Sequence, residues 1–65
     1  MVKIIANGKA IEVRDACRLS EWLMQTGWKP TQVELNGEVV QRKHVEDVEL
    51  HDGDQIEVVF PVAGG

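Results

Sequence analysis

A chain of 65 residues closes one small core, and its single cysteine rules out an internal disulfide. Without a disulfide or a metal, a core of this size leaves about 3–5 kcal/mol of net stability, which leaves little room for a deep catalytic pocket. The chain is therefore expected to be a carrier, adaptor or binding module and not an enzyme, and its net charge of −4 argues against nucleic acid, which calls for a basic stripe.

One cysteine fits a reducing compartment. Residues 1–9 lack the apolar run of a secretion signal, and no stretch approaches membrane-spanning length. A soluble, cytoplasmic protein that does not engage membranes is the expectation.

Val2-Lys3-Ile4-Ile5-Ala6 reads as a strand, followed by Asn7-Gly8 and a second strand, Lys9-Ala10-Ile11-Glu12-Val13. Asn-Gly between two such runs predicts a hairpin, because a type I′ turn needs positive φ at both central residues. Across residues 15–27, Ala16, Leu19, Leu23 and Thr26 recur at helical spacing with Trp22 beside them. This predicts one short amphipathic helix, capped by Asp15 or Ser20 without a complete capping box and stopped by Gly27. Trp28-Lys29-Pro30-Thr31 reads as a loop, Gln32-Val33-Glu34-Leu35 as a strand, Asn36-Gly37 as a turn and Glu38-Val39-Val40 as a short return. Residues 42–48 have no clear period and are expected to be irregular or a single helical turn. Asp52-Gly53-Asp54 is a turn leading into a last strand over residues 55–60, with Ile56, Val58 and Phe60 on the face toward the helix. Strands packed around one helix make an α+β pattern.

Several side chains invite a functional reading and have a plainer one. Cys17 lacks a second cysteine or a neighbouring histidine, so a half-buried structural thiol is favoured over a sulfur relay, and a four-thiolate cluster is excluded. His44 and His51 are seven residues apart with no cysteine support, which does not make a metal site. Turn chemistry accounts for Asp52 and Asp54. Trp22 is expected in the core and Trp28 packed in its loop. Six acids (Glu46, Asp47, Glu49, Asp52, Asp54, Glu57) fall between residues 46 and 57 without a Lys or Arg. Beyond solubility, Glu49 and Asp54 are candidates for steering a basic partner. No phosphate loop is present, so any ATP chemistry belongs to a partner.

The final residues, Phe60-Pro61-Val62-Ala63-Gly64-Gly65, carry the sharpest signal. A proline ends the strand pattern, and two glycines make a thin tip that can enter a narrow slot. Residues 1–60 are therefore expected to be the folded domain and residues 61–65 a flexible tail. Five extended residues reach about 16–18 Å.

The opening hairpin over Asn7-Gly8, the run Val33-Glu34-Leu35-Asn36-Gly37-Glu38-Val39-Val40-Gln41-Arg42, and the stretch from Asp52-Gly53-Asp54 to Gly64-Gly65 together resemble the ThiS family, the sulfur carriers of thiamine biosynthesis. The tail also resembles that of the molybdopterin synthase small subunit. The resemblance implies a ubiquitin-like β-grasp fold, a small mixed sheet on one main helix with a C-terminal Gly-Gly tail. It implies that an E1-like adenylyltransferase activates the Gly65 carboxylate with ATP, with no cofactor bound to the carrier itself. A persulfide sulfurtransferase or desulfurase then supplies sulfur, leaving a thiocarboxylate that thiazole synthase accepts. Gly64, Ala63 and Val62 would thread the partner's slot, and Phe60 would anchor the root of the tail at the interface. The alternatives are the molybdopterin branch or another sulfur-containing metabolite, a ubiquitin-like modifier of target lysines, and a plain binding module.

Overall fold

The computed structural model describes residues 1–60. Five strands form one sheet in the order β2-β1-β5-β3-β4: β1 (Val2–Ala6), β2 (Lys9–Val13), β3 (Gln32–Leu35), β4 (Glu38–Val40) and β5 (Gln55–Val59). Helix α1 (Leu19–Thr26) crosses one face, and a single 3-10 turn occupies Arg42–His44. Two antiparallel hairpins, β1–β2 and β3–β4, are joined by β5, which runs parallel to β1 and antiparallel to β3. This is the mixed sheet about one helix that the sequence predicts.

Both Asn-Gly pairs turn as expected, with φ of 48° and 83° at Asn7 and Gly8. Their asparagine side chains do a second job. Asn7 Oδ1 accepts the Val58 N–H at 2.9 Å, where the β1 backbone has run out of ladder partners for β5. Asn36 Oδ1 accepts the Gln55 N–H at 3.0 Å, while its Nδ2 donates to Asp54 Oδ1 at 3.1 Å. Each hairpin thus clamps the central strand from its own side.

Period-2 alternation sends Ile4, Ala6, Val13, Val33, Ile56 and Val58 to the helix side, where they meet Leu19, Trp22, Cys17 and Leu50 in one buried cluster. Phe60 departs from the expected inward face: β5 ends at Val59, and the Phe60 ring lies 42% exposed.

The helix start also differs from expectation. Neither Asp15 nor Ser20 is its cap; Arg18 is, in an extended conformation. Arg18 has no side-chain acceptor, so only the return half of a capping box forms, with Glu21 Oε1 accepting the Arg18 N–H at 3.2 Å. Ala16 therefore lies off the helix, at φ 59° in the preceding turn. Tertiary bonds take over the missing capping: Leu19 N–H reaches Val48 O at 2.8 Å and Ser20 N–H reaches Val45 O at 3.1 Å. Leu50, 1% exposed, fastens the same segment from inside the core, and its N–H donates to Cys17 O at 2.8 Å. At the other end Gly27 takes φ 74° and its N–H bonds to Leu23 O and Met24 O, the left-handed stop that the glycine predicts.

Candidate functional site

The position that matters is the end of β5, because the residues that carry the sharpest sequence signal, 61–65, follow it in the chain. β5 lies in the centre of the sheet: its start pairs with both β1 and β3, and at its end Val59 pairs with Gln32 of β3 while the Asn7 side chain holds Val58 from the β1 side. Val59 O accepts both the Thr31 N–H at 2.7 Å and the Thr31 hydroxyl at 3.0 Å. Beyond this clasp an aromatic series runs from core to surface. Trp22, 3% exposed, meets Trp28 edge-on at 5.6 Å, and Trp28 meets Phe60 edge-on at 5.5 Å. Thr26 sets the middle ring, its hydroxyl donating to Leu23 O at 2.8 Å and accepting the Trp28 N–H at 3.1 Å. Trp22 is thus in the core and Trp28 packs in its loop, while Phe60 is the outermost of the three rings.

Val62, Ala63, Gly64 and Gly65 lie outside the described residues. Glu49 and Asp54 are described, and neither sits beside Phe60. Asp54 precedes the first residue of β5 and Phe60 follows its last, which puts them about 20 Å apart along the strand. Glu49 pairs with Arg18 in an isolated bridge at the N-terminal end of α1, whereas Phe60 meets Trp28 beyond its C-terminal end. Closeness in sequence to the tail does not become closeness in space.

The Asp54 carboxylate is already committed. Its Oδ2 accepts the His51 N–H at 2.8 Å and its Oδ1 accepts from Asn36, so a charge reversal there would break a turn as well as move a charge. Asp52 Oδ1 accepts the Lys3 N–H at 2.8 Å, again as a turn residue. Glu49 is the freer of the two candidates, with its Oε2 3.4 Å from His51 Nε2 on an exposed surface. His44 approaches Asp47 at 3.8 Å. Among the described residues no group of three His, Cys, Asp or Glu is placed to hold a metal ion.

Cys17 is fully buried, and burial pushes its thiol above the ordinary value, with Glu21 adding to the effect. At neutral pH this thiol stays protonated and enclosed, which suits packing and not sulfur relay. Among the described residues no helix is long and apolar enough to cross a membrane.

Two residues of this region escape a reading of the sequence. Thr31 looks like an ordinary loop residue, and its clasp on Val59 depends on β3 lying beside β5. Leu50 stands in an acidic stretch with no period, and only the apolar trio Val45, Val48 and Leu50 hints that the stretch folds inward.

The ThiS family model matches residues 4–65. The crystal structure of the thiamine biosynthesis protein ThiS from Geobacter metallireducens aligns with a TM-score of 0.82 at 29% identity, covering 98% of this chain and 100% of that one. An NMR solution structure of a thiamine biosynthesis protein from the same organism aligns with a TM-score of 0.78 at 26% identity, covering 98% and 88% respectively. A search of curated proteins finds no match. The fold is the ubiquitin-like β-grasp of those neighbours. With a family match over nearly its whole length, ending on Gly65, this chain belongs to the ThiS family.

Proposed function

We propose that the protein is a sulfur carrier for thiazole formation in thiamine biosynthesis, with Gly65 as the residue that is loaded. The single observation that carries this reading is the family match through Gly64 and Gly65, the two residues that the chemistry requires. A carboxylate is a poor electrophile. An E1-like partner with ATP converts it to an acyl-adenylate, releasing pyrophosphate, and a persulfide sulfur displaces AMP. Reductive cleavage of the resulting acyl disulfide by a thiol leaves a thiocarboxylate on Gly65. Its sulfur is a competent nucleophile, and the covalent link carries it to thiazole synthase.

The domain's part is presentation. β5, held at its end by Gln32 of β3 and by the Asn7 side chain, supplies a fixed origin at Val59, whose carbonyl the Thr31 clasp holds in place. Phe60 and Trp28 offer an apolar collar about that origin, suited to docking against a partner's slot. Gly64 lets the tip pass where a Cβ would collide.

The test uses purified chain, an E1-like adenylyltransferase, ATP and a persulfide donor. Intact protein is expected to support ATP–pyrophosphate exchange and to gain the mass difference of sulfur replacing oxygen, localised to Gly65. Deleting Gly65, or appending one residue after it, abolishes both while leaving the thermal midpoint nearly unchanged. Full sulfur transfer by the Gly65-deleted chain sinks the proposal, and so does an intact chain that no such partner adenylates. Stable amide conjugates to lysines in cell extract would assign the chain to protein modification instead.

A further inference from the structure

An open groove of about 380 Å³ lies between the C-terminal end of α1, the loop that follows it and the β4 side of the sheet. Leu23, Trp28, Val33 and Val40 give it an apolar lining. Its charged lining residues are Lys29 and Arg42, and no Asp or Glu lines it. The whole chain has 11 acids against 7 lysines and arginines, so this pairing of two cations without an acid reverses the local sign of an acidic protein. Both are exposed, and among the described residues neither is in an ion pair.

We propose that this groove binds an extended segment of a partner protein, one whose apolar side chains are accompanied by a carboxylate. The apolar lining rewards Leu- or Val-like side chains, and the two cations, without an ion pair among the described residues, select for an acid beside them. Trp and Arg are the residue types that most often carry binding energy at interfaces, and Trp28 is 40% exposed, with ring surface left to cover. A peptide suits the site better than a small organic acid because the groove is open and reaches from Leu23 and Trp28 to Val40, the last residue of β4, a strand that among the described residues pairs with β3 alone. The inference stands on the groove alone and does not depend on what chemistry Gly65 carries.

The experiment is a ¹⁵N–¹H NMR titration of the full chain with two blocked decapeptides. One alternates leucine and valine with aspartate, and the other has asparagine at each aspartate position. The acidic peptide is expected to shift the Trp28 indole and the Thr31, Val40 and Arg42 amides, and to bind about three- to tenfold more tightly than its asparagine counterpart. Lys29→Glu with Arg42→Glu should remove that preference while leaving the β1 and β5 amide pattern in place, since both side chains are on the surface. No shift in the groove at millimolar peptide overturns the proposal, as does equal binding of the two peptides. A chain lacking residues 61–65 supplies the remaining control. If its groove signals already differ from those of the full chain without peptide, the groove holds the protein's own C-terminal segment. If they move with protein concentration, it holds a second copy. Either result replaces the partner peptide as occupant.

Discussion

At its start, β5 is gripped by side chains from far along the sequence. Asn36 bonds to the Gln55 N–H, Asp54 bonds to Asn36 and to the His51 N–H, and Asp52 reaches back to the Lys3 N–H. At its exit, the last such clamp among the described residues is Asn7 on Val58, followed by the Thr31 clasp on Val59 and then the ring edges of Trp28 and Phe60. Buried Leu50 secures the approach to the start, while Phe60 leaves the exit 42% exposed. The two ends of one strand thus divide the work. Hydrogen bonds and core packing at the start hold the fold, and the exit leaves its large side chain half-exposed, where the proposed function would have a partner dock. Damage at the start should appear as lost stability, and damage at the exit as lost partner binding in a folded protein.

Leu50→Ala is expected to give the largest change in stability. The side chain is 1% exposed in the core, and a buried Leu→Ala costs about 2–5 kcal/mol through lost transfer energy plus the cavity left behind. A 65-residue domain with a single core has little to spare, so urea unfolding should show a chain near or below half-folded at 37 °C. A loss under about 1 kcal/mol would mean that the 45–50 segment is not part of the cooperative core. The start of β5 would then be no better secured than its exit.

A paired substitution sharpens the comparison. Asn36→Gly keeps the positive φ free of strain and removes only the side-chain bonds to Gln55 and Asp54, so about 1–2 kcal/mol should be lost. Phe60→Ala removes a half-exposed ring edge and should cost under about 1 kcal/mol. For partner binding the order should reverse. Calorimetry with the adenylating partner should find Phe60→Ala at least about tenfold weaker and Asn36→Gly within about twofold of the parent. Equal stability losses at the two sites would erase the division of labour between the ends.

The parts legible in the sequence are those written in local code. Two Asn-Gly turns, a left-handed glycine after the helix and period-2 strands place five strands and one helix close to where they lie. The errors fall where distant segments decide. Arg18 makes a poor cap on its own, and its helix starts there because residues 45–48 supply the acceptors that no local side chain offers. Leu50 sits among acids without a period, and its burial follows from the crossing of that segment over the helix start. The acids of residues 46–57 precede the tail in sequence, yet β5 carries the chain across the sheet and separates Asp54 from Phe60. Thr31 and the Lys29–Arg42 groove are equally invisible, since each needs β3, β4 and the loop after α1 already in place.

The smallest expected effect tests whether the helix start, bridged to Glu49 and so to the approach to β5, contributes a charge term of its own. Glu21 is paired with Arg14 and accepts the Arg18 N–H, and the Arg14 hydrogen bond, followed by that from Arg18, holds the Glu21 carboxyl below the usual carboxylate range. The folded state therefore binds this proton less readily than the unfolded chain, whose glutamate titrates near about 4.3. Its contribution is fully present above that pH and is lost as pH falls through the lower folded value. Both side chains are well exposed, so salt should weaken the effect. In thermal melts, Glu21→Gln should be slightly less stable than the parent by a constant margin from pH 7 to about pH 5. The margin should narrow below about pH 4, and it should be smaller throughout in 1 M salt. A margin that stays constant down to pH 2.5 would show that the substitution acts through packing or hydrogen-bond geometry. The helix start would then rest on its backbone bonds to Val45 and Val48 alone.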